Sequence, residues 1–250
     1  MTKYLYKYYP IVDYALQSLK NEEVCFNSMR AFEDKCEGEF HMLAKEPGLF
    51  ELNEKASNWL SAEYSDRIIG QIRVLSLTKK YNMKYMWEKY AANGTGFCIE
   101  YKYQDLLQIS TDINEVLYSD ENSPHAYFED SLDDLSFSKA VCEILFTKEK
   151  KWELENETRL IYKIPPELGK LIDIEEFLEN KYSQKPSEYE YVSDFLTRQH
   201  CKFPMRIMKK CVPNKIYLGP QIKKESEEKI KEIILNRNYV CEKILEKDLQ

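Results

Sequence analysis

The sequence predicts an α+β fold, with central mixed or antiparallel sheets flanked by helices in a single domain over residues 1–250. Three observations predict it. Alternating and helical apolar patterns succeed one another without a regular β-α-β rhythm. The chain opens strand, helix, strand within residues 4–28. No internal repeat or long linker divides it.

The elements follow in order. "YLYKYYP" (Tyr4 to Pro10) alternates, so Tyr4, Tyr6 and Tyr8 share one strand face and Pro10 ends it. "IVDYALQSLKN" sets Val12, Ala15, Leu16 and Leu19 at helical spacing. "EVCFNS" reads as a second strand with Asn27 and Ser28 at its polar end. "MRAFEDKCEGEF" continues as a loop or short helix carrying Asp34 and Glu37, and residues 53–70 read as helix. "IRVLSLT" is a buried strand by its apolar content. Met83, Met86, Trp87 and Tyr90 form one stripe of a compact helix that Gly94 stops. The stripe reads first as core and second as a ligand platform. "GFCIEYKY" turns Phe97, Ile99 and Tyr101 to one face.

The acidic, irregular stretch 119–134 reads as a surface loop. "LSFSKAVCEILFTKEKK" reads as an amphipathic helix and "IPPELGKLIDIEEFLENKYSQKP" as a turn-rich connection. "EYEYVSDFLTRQHCKF" reads as helix and "NKIYLGP" as a short strand closed by Gly219-Pro220. A charged helix with Ile230, Ile233 and Ile234 inward leads to a last strand, "YVCEKILE".

Hydrophobic residues make up 43% of the chain, enough for a packed core. The net charge of −7 argues against coating duplex nucleic acid, which needs a basic footprint. Local basic clusters remain, at Lys148, Lys150 and Lys151 and at Arg206, Lys209 and Lys210. Met1 to Pro10 has no apolar core of a signal peptide, and no run approaches the ~20 apolar residues of a membrane helix. Seven cysteines, none in a CxxC pair, predict reduced thiols and a cytoplasmic protein without membrane association. His200, Cys201 and Cys211 are too few for a zinc site, so no metal is expected.

"KKWELENETRLIY" (Lys150 to Tyr162) carries the densest chemistry. As a strand it sets Trp152, Leu154, Asn156, Thr158, Leu160 and Tyr162 on one face, and Glu153, Glu155, Glu157 and Arg159 on the other. That acidic face is a solvated surface, a buried Glu–Arg pair, or the lining of a site. As a helix, Glu155 and Arg159 would be a plain i,i+4 pair.

"LYKYYP", "EVCFNSMRAFEDKCE", "YMWEKYAANGTGFCIEY", "KKWELENETRLIY" and "VPNKIYLGPQI" together resemble the bacterial family catalogued as domain of unknown function 2971. Some of its members are labelled abortive-infection proteins of the AbiGi type. The likeness spreads from Leu5 to about Ile244. Where the family has Asn-Asp-Pro before an acidic residue, this chain keeps only Asp34 and Glu37; a His common after the Trp87 helix is Gly94 here. The order of parts is more loosely similar to ADP-ribosyltransferases, with an aromatic or basic early strand, a second strand with a polar end and a late Glu-x-Glu strand.

The resemblance implies a defence effector acting on NAD as substrate, by ADP-ribosyl transfer or NAD hydrolysis. Its acceptor or target would be a protein or a nucleic acid. Breaking the ribose–nicotinamide bond develops an oxocarbenium-like cation, which a carboxylate stabilises while a second one orients the acceptor. Glu157 is the expected catalytic carboxylate and Glu155 its assistant. Two glutamates at i and i+2 on one strand face lie about 7 Å apart at the backbone and serve one pocket. Arg159 is expected to bind phosphate or fix Glu157. Tyr6, Lys7 and Tyr8, with Asn27 and Ser28, are expected to contact NAD, and Trp87 and Tyr90 are the platform candidates. Two other readings stand beside this one: a non-catalytic sensor for a nucleotide-type small molecule, and a Mg²⁺-dependent nuclease-like effector using Asp34, Glu37 and the glutamates.

Overall fold

The computed structural model describes residues 3–32, 41–43, 69–120, 125–127, 142, 144–181, 183, 187–194 and 199–250. Most of the helix expected over 53–70 and of the acidic stretch 119–134 lies outside them, as do Asp34 and Glu37.

The fold is α+β. Strand β1 (Tyr4–Tyr9) leads into helix α1 (Asp13–Asn21) and returns as β2 (Glu23–Asn27). Helix α1 forms because Ala15, Leu16 and Leu19 bury one stripe, and it stops where Glu22 turns left-handed at φ 55°. Then come β3 (His41–Leu43), β4 (Ile72–Thr78), α2 (Lys84–Tyr90), β5 (Phe97–Lys102) and α3 (Tyr103–Ile109). Helix α2 ends at Tyr90, and Ala92 (φ 49°) and Asn93 (φ 56°) turn left-handed ahead of Gly94 (φ 77°), so the stop falls before the glycine expected to make it. Short strands β6 (Asp112–Glu115), β7 (Leu117–Ser119), β8 (His125–Tyr127) and β9 (Thr147–Glu149) precede β10 (Glu157–Lys163). The last part holds β11 (Lys170–Ile172), α4 (Ile174–Lys181), β12 (Tyr189–Asp194), β13 (Gln199–Pro204), β14 (Arg206–Lys210), β15 (Lys215–Leu218), α5 (Lys224–Ile233) and β16 (Val240–Lys243).

The main sheet runs β14-β2-β4-β1-β5-β15-β16, with β10 along β4 and β6 on β10. Its pairs are antiparallel except β15 with β16. One edge of β4 pairs with β10 over its whole length, from Glu157↔Thr78 to Lys163↔Ile72. The other edge is shared. It meets β1 only at Tyr6↔Thr78 and β2 only at Asn27↔Val74. Between these two contacts the sheet is split, and Ser76 sits in the split. Leu5, Tyr9, Phe97, Ile99 and Tyr101 face a core closed by α1, α3 and α5, into which α5 sends Ile230 and its C-cap residue Ile234. Tyr8, Trp87, Cys98 and Tyr217 build the core on the opposite face, under α2.

Two sequence expectations are corrected. Of the helix expected over 188–203, the described residues form strands instead: β12 and β13 pair antiparallel from Tyr189↔Pro204 to Asp194↔Gln199. The aromatic and β-branched alternation of "YEYV" wins over its helical spacing, and Glu190 and Val192 point to the buried side. The connection over 164–186 is also more ordered than expected, since it contains β11 and α4, whose Phe177 stacks on His200 at 4.6 Å. The sheet β11-β13-β12 is tied to the main sheet by Glu190, which pairs with buried Arg73 at 3.2 Å and with Arg30 at 2.9 Å.

Candidate functional site

The split beside β4 opens into a cleft of about 350 Å³. Tyr6, Lys7, Tyr8, Asn27, Ser76, Tyr90, Lys148, Trp152, Glu155 and Glu157 are among the residues that line it. Strands β1, β2 and β4 give the floor, α2 one wall, and the segment from β9 to β10 the other.

That last segment corrects the reading of residues 152–162 as one strand. Lys150–Glu155 winds as a 3₁₀ helix, Asn156 turns left-handed at φ 46° and ψ 50°, and the strand begins only at Glu157. Asparagine tolerates this conformation. From Glu157 the predicted alternation holds, so Glu157 and Arg159 share a face. Glu155 reaches the cleft from the helical turn instead, while Leu154 is 62% exposed.

Both glutamates are buried and held by cations. Lys148 Nζ lies 2.8 Å from Glu155 Oε2 and 3.2 Å from Glu157 Oε2. Glu155 Oε1 also accepts from Lys89 Nζ at 3.0 Å and, in a short bond, from the Tyr90 hydroxyl. Glu157 Oε1 accepts from Arg159 Nε at 2.9 Å, and Arg159 Nη1 donates to the Leu145 carbonyl at 2.7 Å. Burial pushes the Glu157 carboxyl up. The Arg159 guanidinium, the Lys148 ammonium and hydrogen bonds from Arg159 and Ser76 outweigh it and hold the group down at about 2.

Lys7 donates to the Ser76 carbonyl at 2.8 Å, across the split. Burial lowers its pKa, against the pull of Glu157. Tyr8 lines the cleft with its ring. Its hydroxyl donates to the Lys80 carbonyl at 2.9 Å, and burial raises its pKa. Tyr6 is half-buried beside Tyr81, and its pKa is raised by burial and by Glu100. Asn27 Oδ1 accepts from Cys25 Sγ at 3.4 Å.

The cleft therefore gathers Tyr6, Lys7, Tyr8, Asn27, Tyr90, Glu155 and Glu157 of the residues singled out in the sequence. Three others lie elsewhere. Trp87 is 1% exposed, donates its indole N–H to the Tyr81 carbonyl at 2.8 Å, and packs its ring on Tyr8 from behind. It is core, not platform, because the apolar stripe of α2 faces the sheet. Ser28 caps the turn of Met29–Ala31 by accepting from Arg30 N at 3.3 Å. Arg159 is fully buried behind Glu157, which fits the fixing role rather than phosphate contact.

Sequence reasoning missed Lys148, Lys89 and Trp152 as site residues. Lys148 was visible only as one of three clustered lysines; the other two are exposed, Lys150 toward Asp120 and Lys151 toward Glu149. Trp152 receives Lys89 Nζ over its ring at 3.6 Å and Lys148 Nζ at 5.1 Å. Among the described residues no group of three or more His, Cys, Asp or Glu is placed to hold a metal ion. No disulfide joins any two of the described cysteines. No described helix is long and apolar enough to cross a membrane.

Fold and cleft together define an α+β protein with a paired-carboxylate site under aromatic walls. Residues 86–160 match the model of the family described as "Protein of unknown function (DUF2971)", so the family resemblance holds over the segment from α2 to β10. That segment supplies Lys89, Tyr90, Lys148, Trp152, Glu155, Glu157 and Arg159. No curated protein and no solved structure matches the chain.

Proposed function

We propose that the cleft binds a nucleotide-type molecule and acts on NAD, cleaving the bond between ribose and nicotinamide by hydrolysis or ADP-ribosyl transfer. One observation carries the reading: Glu157 is buried in the wall of a cleft lined with aromatic residues, its carboxylate kept ionised by Arg159 and Lys148. A fixed negative charge in a site shielded from water favours the ribose cation as it forms, and needs no reorganisation to do so. Glu155 stands beside it, held by Lys148 and Tyr90, to orient the acceptor. The defence role of the abortive-infection type rests on the family resemblance alone.

The test is nicotinamide release from NAD by the full chain and by Glu157→Gln, with circular dichroism to check folding. Turnover in the parent that is lost in a folded Glu157→Gln supports the reading. Equal turnover in both removes Glu157 from it.

One observation favours a second reading. Both carboxylates are already engaged by Lys148, Lys89 and Arg159, an arrangement suited to a rigid binding site without chemistry. A sensor would bind NAD, ADP-ribose or a cyclic nucleotide and return it unchanged after hours of incubation. The same engagement leaves the Mg²⁺-dependent reading without a donor set among the described residues.

A further inference from the structure

The chemistry proposed for Glu157 gives Lys7 no task. Lys7 sits on β1 between Leu5 and Tyr9, both apolar core positions on the α1 side, and nothing in the packing of that strand asks for a charge. An ammonium has three N–H donors. Lys7 spends one on the Ser76 carbonyl at 2.8 Å. Glu155 and Glu157, its neighbours in the cleft, are held by Lys148 instead, at 2.8 and 3.2 Å. A partly desolvated cation with unspent donors is a cost to the fold.

We propose that Lys7 binds a phosphate or pyrophosphate group of the ligand, so that the cleft selects a phosphorylated nucleotide over a nucleoside or a free base. The proposal rests on the nucleotide reading of the cleft. Lys7 lines the cavity and has N–H groups left over to meet a non-bridging phosphate oxygen in a charge-assisted hydrogen bond. The rings of Tyr6, Tyr8, Tyr90 and Trp152 are left to cover the base and sugar. The bound anion favours the charged form of Lys7, against the burial that disfavours it.

The test is calorimetric titration of the full chain with ADP-ribose, inorganic pyrophosphate and adenosine. The parent is expected to bind the first two and to bind adenosine at least about tenfold more weakly than ADP-ribose. Lys7→Met is expected to weaken ADP-ribose by roughly 10- to 100-fold, through loss of its charge-assisted contact, and to leave adenosine unchanged. Its thermal midpoint should be at or above the parent's, because a cost to the fold has been removed. Lys7→Arg, which keeps the charge, should retain ADP-ribose binding. Adenosine binding as tightly as ADP-ribose would overturn the proposal. So would absence of ADP-ribose binding to the parent, parent-like ADP-ribose binding by Lys7→Met, or a Lys7→Met that does not fold. Lys7-dependent pyrophosphate binding without NAD turnover counts against the chemistry of Glu157 alone.

Discussion

Glu155 and Glu157 reach the cleft from different elements, a 3₁₀ turn and a strand, and share the single ammonium of Lys148 at 2.8 and 3.2 Å. Two buried carboxylates this close repel one another unless a cation lies between them. Lys148, with a side chain only 9% exposed, is that cation. Replacing it with methionine removes one partner of a buried pair and leaves the charges facing each other. Lys148→Met should lose about 3 kcal/mol of unfolding free energy at neutral pH, measured by urea denaturation. The deficit should shrink as the pH falls through the carboxylate range, because protonation relieves the repulsion. A midpoint equal to the parent's would show that Lys148 does not hold the pair.

Glu157 makes a second, sign-defined demand. Folding depresses its pKa from the ordinary 4.5 to about 2. A depressed carboxyl contributes stability that is present above its unfolded value and lost as the pH falls through its folded value. The window is therefore from about pH 4.5 down to about pH 2. The shift corresponds to roughly 3 kcal/mol. Thermal midpoints recorded across that window should fall more steeply for the parent than for Glu157→Gln. Parallel curves would show that the Arg159–Glu157 pair contributes nothing to acid stability.

Much of this geometry was legible in the chain, for identifiable reasons. The β1-α1-β2 opening followed from alternation and then helical spacing, and Tyr6, Tyr8 and the polar end of β2 at Asn27 came with it. The pairing of Glu157 with Arg159 followed from a period of two. What failed was the step from pattern to turn. Nothing in the alternation of "WELENE" marks Asn156 as the left-handed residue that separates helix from strand. Glu155 reached the cleft for a different reason from the one expected. Lys148 and Lys89 were not recoverable as site residues, because which lysine of a cluster turns inward is decided by tertiary packing. Trp87 follows the first reading of its stripe, as core; that Tyr90, three positions on, turns to the cleft instead was not legible for the same reason.

The loop after α2 carries a backbone contact that leaves no room for a side chain. A Cβ on Gly96 would overlap the Tyr9 carbonyl oxygen and lie 3.0 Å from Ala91 Cα. Both are backbone positions, fixed by the β1–β5 pairing and the end of α2. Gly96→Ala should cost about 3 kcal/mol by overpacking. It should do so without touching the cleft directly, so any remaining folded fraction should bind ADP-ribose as the parent does. Parent-like stability in urea would show that Tyr9 and α2 separate more easily than their packing implies.

Trp152 offers the most direct optical report on the cleft. It is half-buried in the wall, with Lys89 Nζ 3.6 Å from its ring centroid and Lys148 Nζ at 5.1 Å. Trp87 is fully buried in the core and insulated from the cavity by the Tyr8 ring. A phosphorylated nucleotide entering the cleft competes for the same lysines and shifts the charge above Trp152. The emission of the parent should therefore change on titration with ADP-ribose. With the third tryptophan, Trp59, replaced by phenylalanine in both proteins, Trp152→Phe should abolish most of that change and, because phenylalanine is a weaker partner for a cation, cost only about 0.5–1 kcal/mol of stability. If the change persisted in Trp152→Phe, the ligand would be binding away from Lys89 and Lys148, and the cleft beside β4 would not be its site.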